Sequence, residues 1–186
     1  FKSKRNLLVA SLVGLIIFSG VFFATKQSTF WRYVPGLSRV AQVSLADNLK
    51  NRFLAWEAGW RGFKERPLLG WGWENFNISF NKFYNPALLI SGRGETYWDK
   101  PHNIFLEYLY TTGLLGLLSF VGFMGAVFYE SWQVWKKYPE IIFFIVGLIA
   151  YLIQGLVVFD TFGVYLMLVL YWAYIDRKYL DLRLKI

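Results

Sequence analysis

Four stretches of this chain are apolar over most of the length of a membrane span, and the polar residues collect between and around them. Crossing the hydrocarbon core takes about 20 mostly apolar residues. Leu7 to Ala24 carries no charge and is bracketed by Lys2, Lys4, Arg5 and Lys26. Phe105 to Trp132 holds Glu107 near its start and Gly113, Gly116, Gly122 and Gly125 along its length. Ile141 to Phe159 is polar mainly at Gln154, and the shorter Thr161 to Ile175 ends in Tyr171, Trp172 and Tyr174, which suit an aromatic belt at one interface. The pattern predicts an all-α membrane protein with four transmembrane helices. The first segment also shares the basic start, apolar middle and small closing residues of a signal peptide, but its apolar run is at the long end for one, and it is read as a span. The chain begins at Phe1 rather than at a methionine and is read as a piece of a longer protein.

The short connections orient the bundle. Lys2, Lys4 and Arg5 precede the first span, Lys136 and Lys137 join the second to the third, and Arg177, Lys178, Arg183 and Lys185 follow the fourth. Four crossings put all nine on one side, so the positive-inside rule makes both termini cytoplasmic. The chain then divides into residues 1–26, a first span with a basic cytoplasmic start; 27–103, a large external loop; and 104–186, three spans and a basic cytoplasmic tail.

Composition sharpens this picture by exclusion. The chain is 56% hydrophobic, 21% aromatic and 17% charged, whereas a soluble domain is about 25% charged, and disorder, collagen, coiled coils and disulfide scaffolds fall away. With no cysteine and one histidine, His102, a Cys/His zinc site and a thiol nucleophile are also excluded. The net charge of +8 separates into the topology signal and a cation-rich external loop, so it does not point to nucleic acid.

Within the loop, Ser44 and Asp47 form a helix start of the capping-box kind and Pro67 sets the stop, predicting an amphipathic helix over about 45–65. Leu45, Leu49, Phe53, Trp56, Trp60 and Phe63 fall within roughly 80° of one another on its wheel, while Lys50, Glu57 and Arg61 point elsewhere. Arg52 lies in the middle of the apolar face. An arginine there is costly unless something pairs with it, and the alternatives are snorkelling, a structural carboxylate or carbonyl, or a ligand anion. For a helix along the outer membrane surface, a lipid phosphate or diphosphate suits the guanidinium fork. Pro67-Leu68-Leu69-Gly70-Trp71-Gly72-Trp73 reads as a turn, and Glu74 to Tyr97 as irregular, with aromatics that suit sugar stacking or simply a membrane interface.

The sharpest feature is Asp99-Lys100-Pro101-His102-Asn103, immediately before the second span. Pro101 keeps Lys100 extended, and Asn103 is a good N-cap for a helix from Ile104 onward. His102 then sits at the positive end of that helix, where the dipole favours the neutral imidazole a general base requires. Asp99 is its neighbour. Glu107, one turn on, could bind a cation, orient a sugar hydroxyl or cap.

Together Arg52-Phe53-Leu54-Ala55-Trp56, Pro67-Leu68-Leu69-Gly70-Trp71-Gly72, Glu95-Thr96-Tyr97-Trp98-Asp99-Lys100-Pro101-His102-Asn103 and Gly113-Leu114-Leu115-Gly116 resemble the O-antigen ligase and polymerase superfamily of bacterial envelope enzymes, over about residues 45–125. The resemblance implies an inner-membrane glycosyltransferase of GT-C-like fold with no cofactor and no metal, whose large loop is periplasmic. Its donor would be a glycan on undecaprenyl diphosphate and its acceptor a lipid core, a glycan or a protein. Arg52 and His102 carry over as catalytic residues. Arg61 and Arg66 are weaker candidates for the donor, and Trp56, Asp99, Asn103 and Glu107 complete a substrate-binding set. Membrane lipids and missing N-terminal transmembrane helices of the same protein are the implied partners. Two other readings remain: an anion transporter component carrying a bicarbonate-like ion past Arg52 and His102, and a structural fragment packing on missing spans. Transport favours ionisable groups within the spans, which are nearly free of them, so the enzyme reading is preferred.

Overall fold

The structure is a computed structural model that describes residues 2–37, 45–90 and 96–184. Ser44 of the expected cap, Gly92-Arg93-Gly94 and Glu95 lie outside the described residues. Among these residues the secondary structure is entirely helical. The chain divides into two compact units, Phe1–Asn48 and Leu49–Ile186.

In the first unit, α1 (Lys2–Thr25) is followed by a 3₁₀ turn at Thr29–Arg32. Trp31 folds back on the helix end, edge-on to Phe22 and Phe18, and its Nε1 donates to Thr25 Oγ1 at 3.0 Å.

The second unit takes up α2 (Leu45–Glu65) from Leu49 onward, α3 (Phe76–Lys82), α4 (Ala87–Ile90), α5 (Ile104–Trp135), a 3₁₀ turn at Pro139–Ile141, α6 (Ile142–Gly155) and α7 (Phe162–Arg183). The segment expected to be irregular after Glu74 thus contains α3 and α4. Phe76 and Phe80, one turn apart, bury completely with Ala55, Ala58, Leu88, Trp98 and Tyr110, and that burial stabilises a helix too short to persist alone.

Among the described residues one helix, α5, is long and apolar enough to cross a membrane, whereas Val13–Thr25 and Pro139–Gly155 are apolar but shorter. Each of the other helices in the four-span expectation carries a feature that shortens its apolar run. The first turn of α1 is basic, and α6 has 14 residues, about 21 Å against a hydrocarbon core of about 30 Å. The helix α7 outruns its apolar stretch, continuing through Asp176, Arg177 and Lys178 to Arg183. Both α6 and α7 pack on α5. Ile104, Phe120, Met124, Val127 and Leu148 form one core cluster, and Val134, Ile141, Ile145 and Ile175 form a second towards the other end. Lys178 reaches the Tyr138 ring there, so the 136–138 turn and the charged end of α7 share the end of the bundle away from His102.

Gly113 interrupts α5 with φ 69° and ψ −167°, a conformation open essentially to glycine alone. A continuous helix would pair the Leu114 and Leu115 amides with the Tyr110 and Thr111 carbonyls. Instead Leu114 N–H donates to the Pro67 carbonyl (2.8 Å) and Leu115 N–H to that of Leu68 (3.3 Å). In return the Tyr110 carbonyl accepts from Trp71 N–H (3.3 Å) and that of Thr111 from Gly72 N–H (2.7 Å). The Pro67–Gly72 turn is thereby clasped into the helix break by main-chain bonds alone, with none of these four pairs left unmet. The approach is so close that a Cβ on Gly70 would lie 2.5 Å from the Thr111 carbonyl, and one on Gly113 would collide with that of Leu68.

The face that α2 buries is its small one, Asn51, Ala55, Ala58, Gly59 and Gly62, and Gly59 lies directly against the Tyr110 ring. Leu49, Phe53 and Trp60 of the apolar stripe remain exposed.

Candidate functional site

Arg52 and Trp56, one turn apart, share a face of α2. Trp56 Nε1 donates to the Pro101 carbonyl at 2.6 Å. Arg52 Nη1 donates to the Val157 carbonyl at 2.8 Å and, more weakly, to that of His102 at 3.4 Å. These two side chains thus read consecutive carbonyls of the Pro101–His102 strip. They can do so because His102 has φ 54°, a left-handed conformation uncommon outside glycine, which turns its carbonyl out of line with its neighbours. Asn103 returns to extended backbone and caps α5 as expected, accepting from Leu106 N–H at 3.1 Å. Its amide nitrogen donates to the Leu156 carbonyl, also at 3.1 Å. Arg52 and Asn103 together therefore satisfy carbonyls just past the end of α6, tying that turn to the His102 strip.

The imidazole sits between the edges or faces of Trp98 and Phe159, with ring centroids 5.1 and 5.2 Å away. Its Nδ1 lies 3.0 Å from the Lys100 carbonyl. A carbonyl only accepts, so Nδ1 carries the proton, and in the neutral ring the lone pair is on Nε2. Trp98 Nε1 is buried without a hydrogen-bond partner among the described residues.

Beneath the strip lies a cluster of charges. Lys100 Nζ is 2.7 Å from Glu74 Oε1 and 3.2 Å from Glu107 Oε1, and the Glu107 side chain is only 4% exposed. Burial disfavours the lysine's charge, but hydrogen bonds to Glu74 and Glu107 and their fields outweigh it and raise the Lys100 pKa above the ordinary value. Across the α6–α7 turn, burial pushes the Asp160 carboxyl up, opposed by the Tyr151 hydroxyl donating to it at 2.8 Å and by the charge of Lys100.

Of the residues singled out from sequence, His102, Arg52, Trp56, Asn103 and Glu107 converge on this strip. Trp56 and Asn103 are bonded to main chain, and Glu107 to Lys100. Asp99 is exposed, and among the described residues no bond joins it to His102. Arg61 pairs with Glu57 one turn away on the outer face of α2. Arg66 stacks its guanidinium 4.3 Å over the Trp71 ring. Those two arginines are therefore not brought to the His102 strip. Sequence reasoning passed over Lys100, Glu74, Trp98 and Phe159. Lys100 and Trp98 stand inside the motif itself and could have been weighed there, whereas nothing local in the sequence marks Glu74 or Phe159 as neighbours of His102.

The family model of O-antigen ligase matches residues 1–121, and the chain belongs to that family. No curated protein matches it. The family comprises inner-membrane O-antigen ligases and polymerases, enzymes that use lipid-linked glycans.

Proposed function

We propose that this chain carries the transfer centre of an integral-membrane glycosyltransferase, moving a glycan from undecaprenyl diphosphate to an acceptor hydroxyl on the periplasmic side. Nε2 of His102 takes the proton of the acceptor hydroxyl as its oxygen attacks the anomeric carbon from the face opposite the diphosphate. The bond from that carbon to the diphosphate oxygen breaks, its electron pair leaves with the diphosphate, and configuration inverts. Arg52 neutralises the leaving charge. Its Nη1 is held by carbonyls while Nε and Nη2 have no partner among the described residues, an edge suited to two phosphate oxygens. Metal is not needed where the leaving group is already stabilised as a diphosphate. The observation that carries this reading is the contact of the Arg52 guanidinium with the main-chain carbonyl of a histidine whose Nδ1 is committed to another carbonyl and whose Nε2 has no partner among the described residues.

In this reading the chain crosses the membrane four times within a GT-C-like whole, residues 27–103 face the periplasm, and missing N-terminal helices complete the fold. The acceptor is a lipid core, a growing glycan or a protein. Single cysteines at Tyr97 and Lys137, both exposed, test the topology with an impermeant reagent. Labelling is expected at position 97 alone in cells with a permeabilised outer membrane, and labelling at 137 alone would reverse the arrangement.

Activity in membranes containing the protein tests the roles. His102→Ala should lower transfer about 10²- to 10⁴-fold while leaving donor binding intact. His102→Gln hydrogen-bonds but takes no proton at neutral pH, so wild-type transfer by this variant would exclude the base. Arg52→Lys keeps the charge without the fork and should retain weak activity, with Arg52→Ala lower still.

A further inference from the structure

The charge cluster beside His102, with Lys100 and Glu107 largely buried and Glu74 exposed, has no part in the transfer step as written. Lys100 Nζ is 13% exposed at the side chain, lies between Glu74 and Glu107, and rests over the Phe159 ring at 5.4 Å. A lysine buried to this extent is held in place by its partners, because leaving either partner of such a pair uncompensated is costly. The carbonyl of the same residue accepts the hydrogen bond donated by His102 Nδ1–H. Between the anchored ammonium and that carbonyl the main chain has little freedom. Pro101 follows, restricting residue 100 to extended conformations, and the Pro101 carbonyl is itself fixed by Trp56. Trp98 and Phe159 flank the imidazole, so ring rotation to exchange its nitrogens must displace them.

We propose that Lys100 is a positioning residue: its ammonium, gripped by Glu107 and Glu74, holds the residue-100 carbonyl against His102 Nδ1 and so keeps the imidazole in the tautomer with its lone pair on Nε2. The inference rests on the reading of His102 as the base only for its effect on rate. Its effect on the ring is independent of that reading. The Lys100 ammonium touches no reacting atom, and its identity matters because a neutral side chain of similar length leaves Glu107 without its partner and the strip without its anchor.

The test uses ¹⁵N-histidine labelling of the full protein in detergent, with the ring signals of His102, the single histidine of these 186 residues, assigned by their loss in His102→Gln. Wild-type protein at a pH where the ring is neutral is expected to show Nδ1 protonated and Nε2 bare. Lys100→Met should move the shifts towards the mixture of a free imidazole, in which the Nε2-protonated form predominates, and Lys100→Arg should restore the wild-type pattern. Should Lys100→Met fail to fold, Lys100→Met with Glu107→Gln removes the stranded charge and is read in the same way. A wild-type ring protonated on Nε2, or an Nδ1-protonated ring in a folded chain without the Lys100 ammonium, overturns the proposal. Transfer measured in parallel should fall on the order of 10²-fold in Lys100→Met and recover in Lys100→Arg. A tautomer that shifts while transfer stays at the wild-type rate would leave Lys100 as the positioner and remove His102 as the base.

Discussion

Two places in this molecule interrupt regular structure beside the same helix, and they are secured by different means. At Gly113 the Pro67–Gly72 turn enters a break in α5, and the exchange is carried out by main-chain donors and acceptors. At His102, just before α5 begins, the strip is secured by side chains: Trp56 and Arg52 bond its carbonyls, Asn103 caps the helix, and Lys100 is pinned from below. The first arrangement depends on the absence of side chains and tolerates variation in those it has. The second depends on particular side chains and tolerates none of the same shape without the same donor. Backbone exchange fixes where two segments meet, whereas side-chain bonds can also set which nitrogen of a ring is free.

Substitutions can test that contrast. The largest effect is expected at Gly113→Ala, where a Cβ meets the Leu68 carbonyl and the backbone conformation excludes an L side chain. The cost is on the order of 3 kcal/mol or more, read as loss of cooperative thermal unfolding or of folded protein in detergent. An unchanged melting profile would mean the clasp is not formed. Next is Trp56→Phe, which keeps the ring body but strands the buried Pro101 carbonyl and should cost about 1 to 2 kcal/mol. Its transfer rate should fall with it, whereas a rate that holds while stability drops would separate the strip from the chemistry.

A smaller effect of opposite sign is expected for Asp160→Asn, which keeps an oxygen to accept from Tyr151. The folded-state pKa of Asp160 is raised by burial, so its contribution is most favourable below the ordinary aspartate value and is lost as pH rises through the folded value. At neutral pH the variant should therefore be the more stable, by about 1 kcal/mol at most, with the difference vanishing in acid. A variant less stable than wild type at neutral pH, with the gap closing in acid, would mean Asp160 is held by charge pairing rather than penalised by burial. The smallest effect belongs to Leu69→Ala at the clasp. This side chain is exposed and only its neighbours' main chain is engaged, so stability should change by no more than about 0.5 kcal/mol. A substantial loss would give the clasp a side-chain component after all.

Much of this was legible in the order of residues. Pro67 and the 3.6-residue apolar spacing mark α2, and Asn103 after Pro101 marks the start of α5, because capping and helix termination are local effects. The juxtaposition of Arg52 with His102 came from the resemblance of motifs rather than from spacing, since fifty residues of intervening chain carry no local signal of closure. What the sequence hid has a physical reason in each case. The face that α2 buries is made of alanine and glycine, invisible to an argument that ranks residues by hydrophobicity. The break at Gly113 falls in the middle of an apolar run, where composition is the same for a continuous helix and for two halves. The role of Lys100 depends on Glu74 and Glu107, which only the folded backbone brings to it.

The break at Gly113 also fixes a height. The uninterrupted part of α5 runs from Leu114 to Trp135, and 22 residues at about 1.5 Å each measure about 33 Å, close to the thickness of a hydrocarbon core. Read as the membrane crossing, that half begins where the clasp ends, and the nine residues Ile104 to Thr112 stand clear of the lipid as a stalk of about 13 Å. His102 rides at the top of the stalk. Under the proposed transfer reaction a headgroup-tethered sugar would meet it at that elevation, neither in the oil nor free in the aqueous space, and the glycine and its clasp would then act as a depth gauge for the height at which the bond is made.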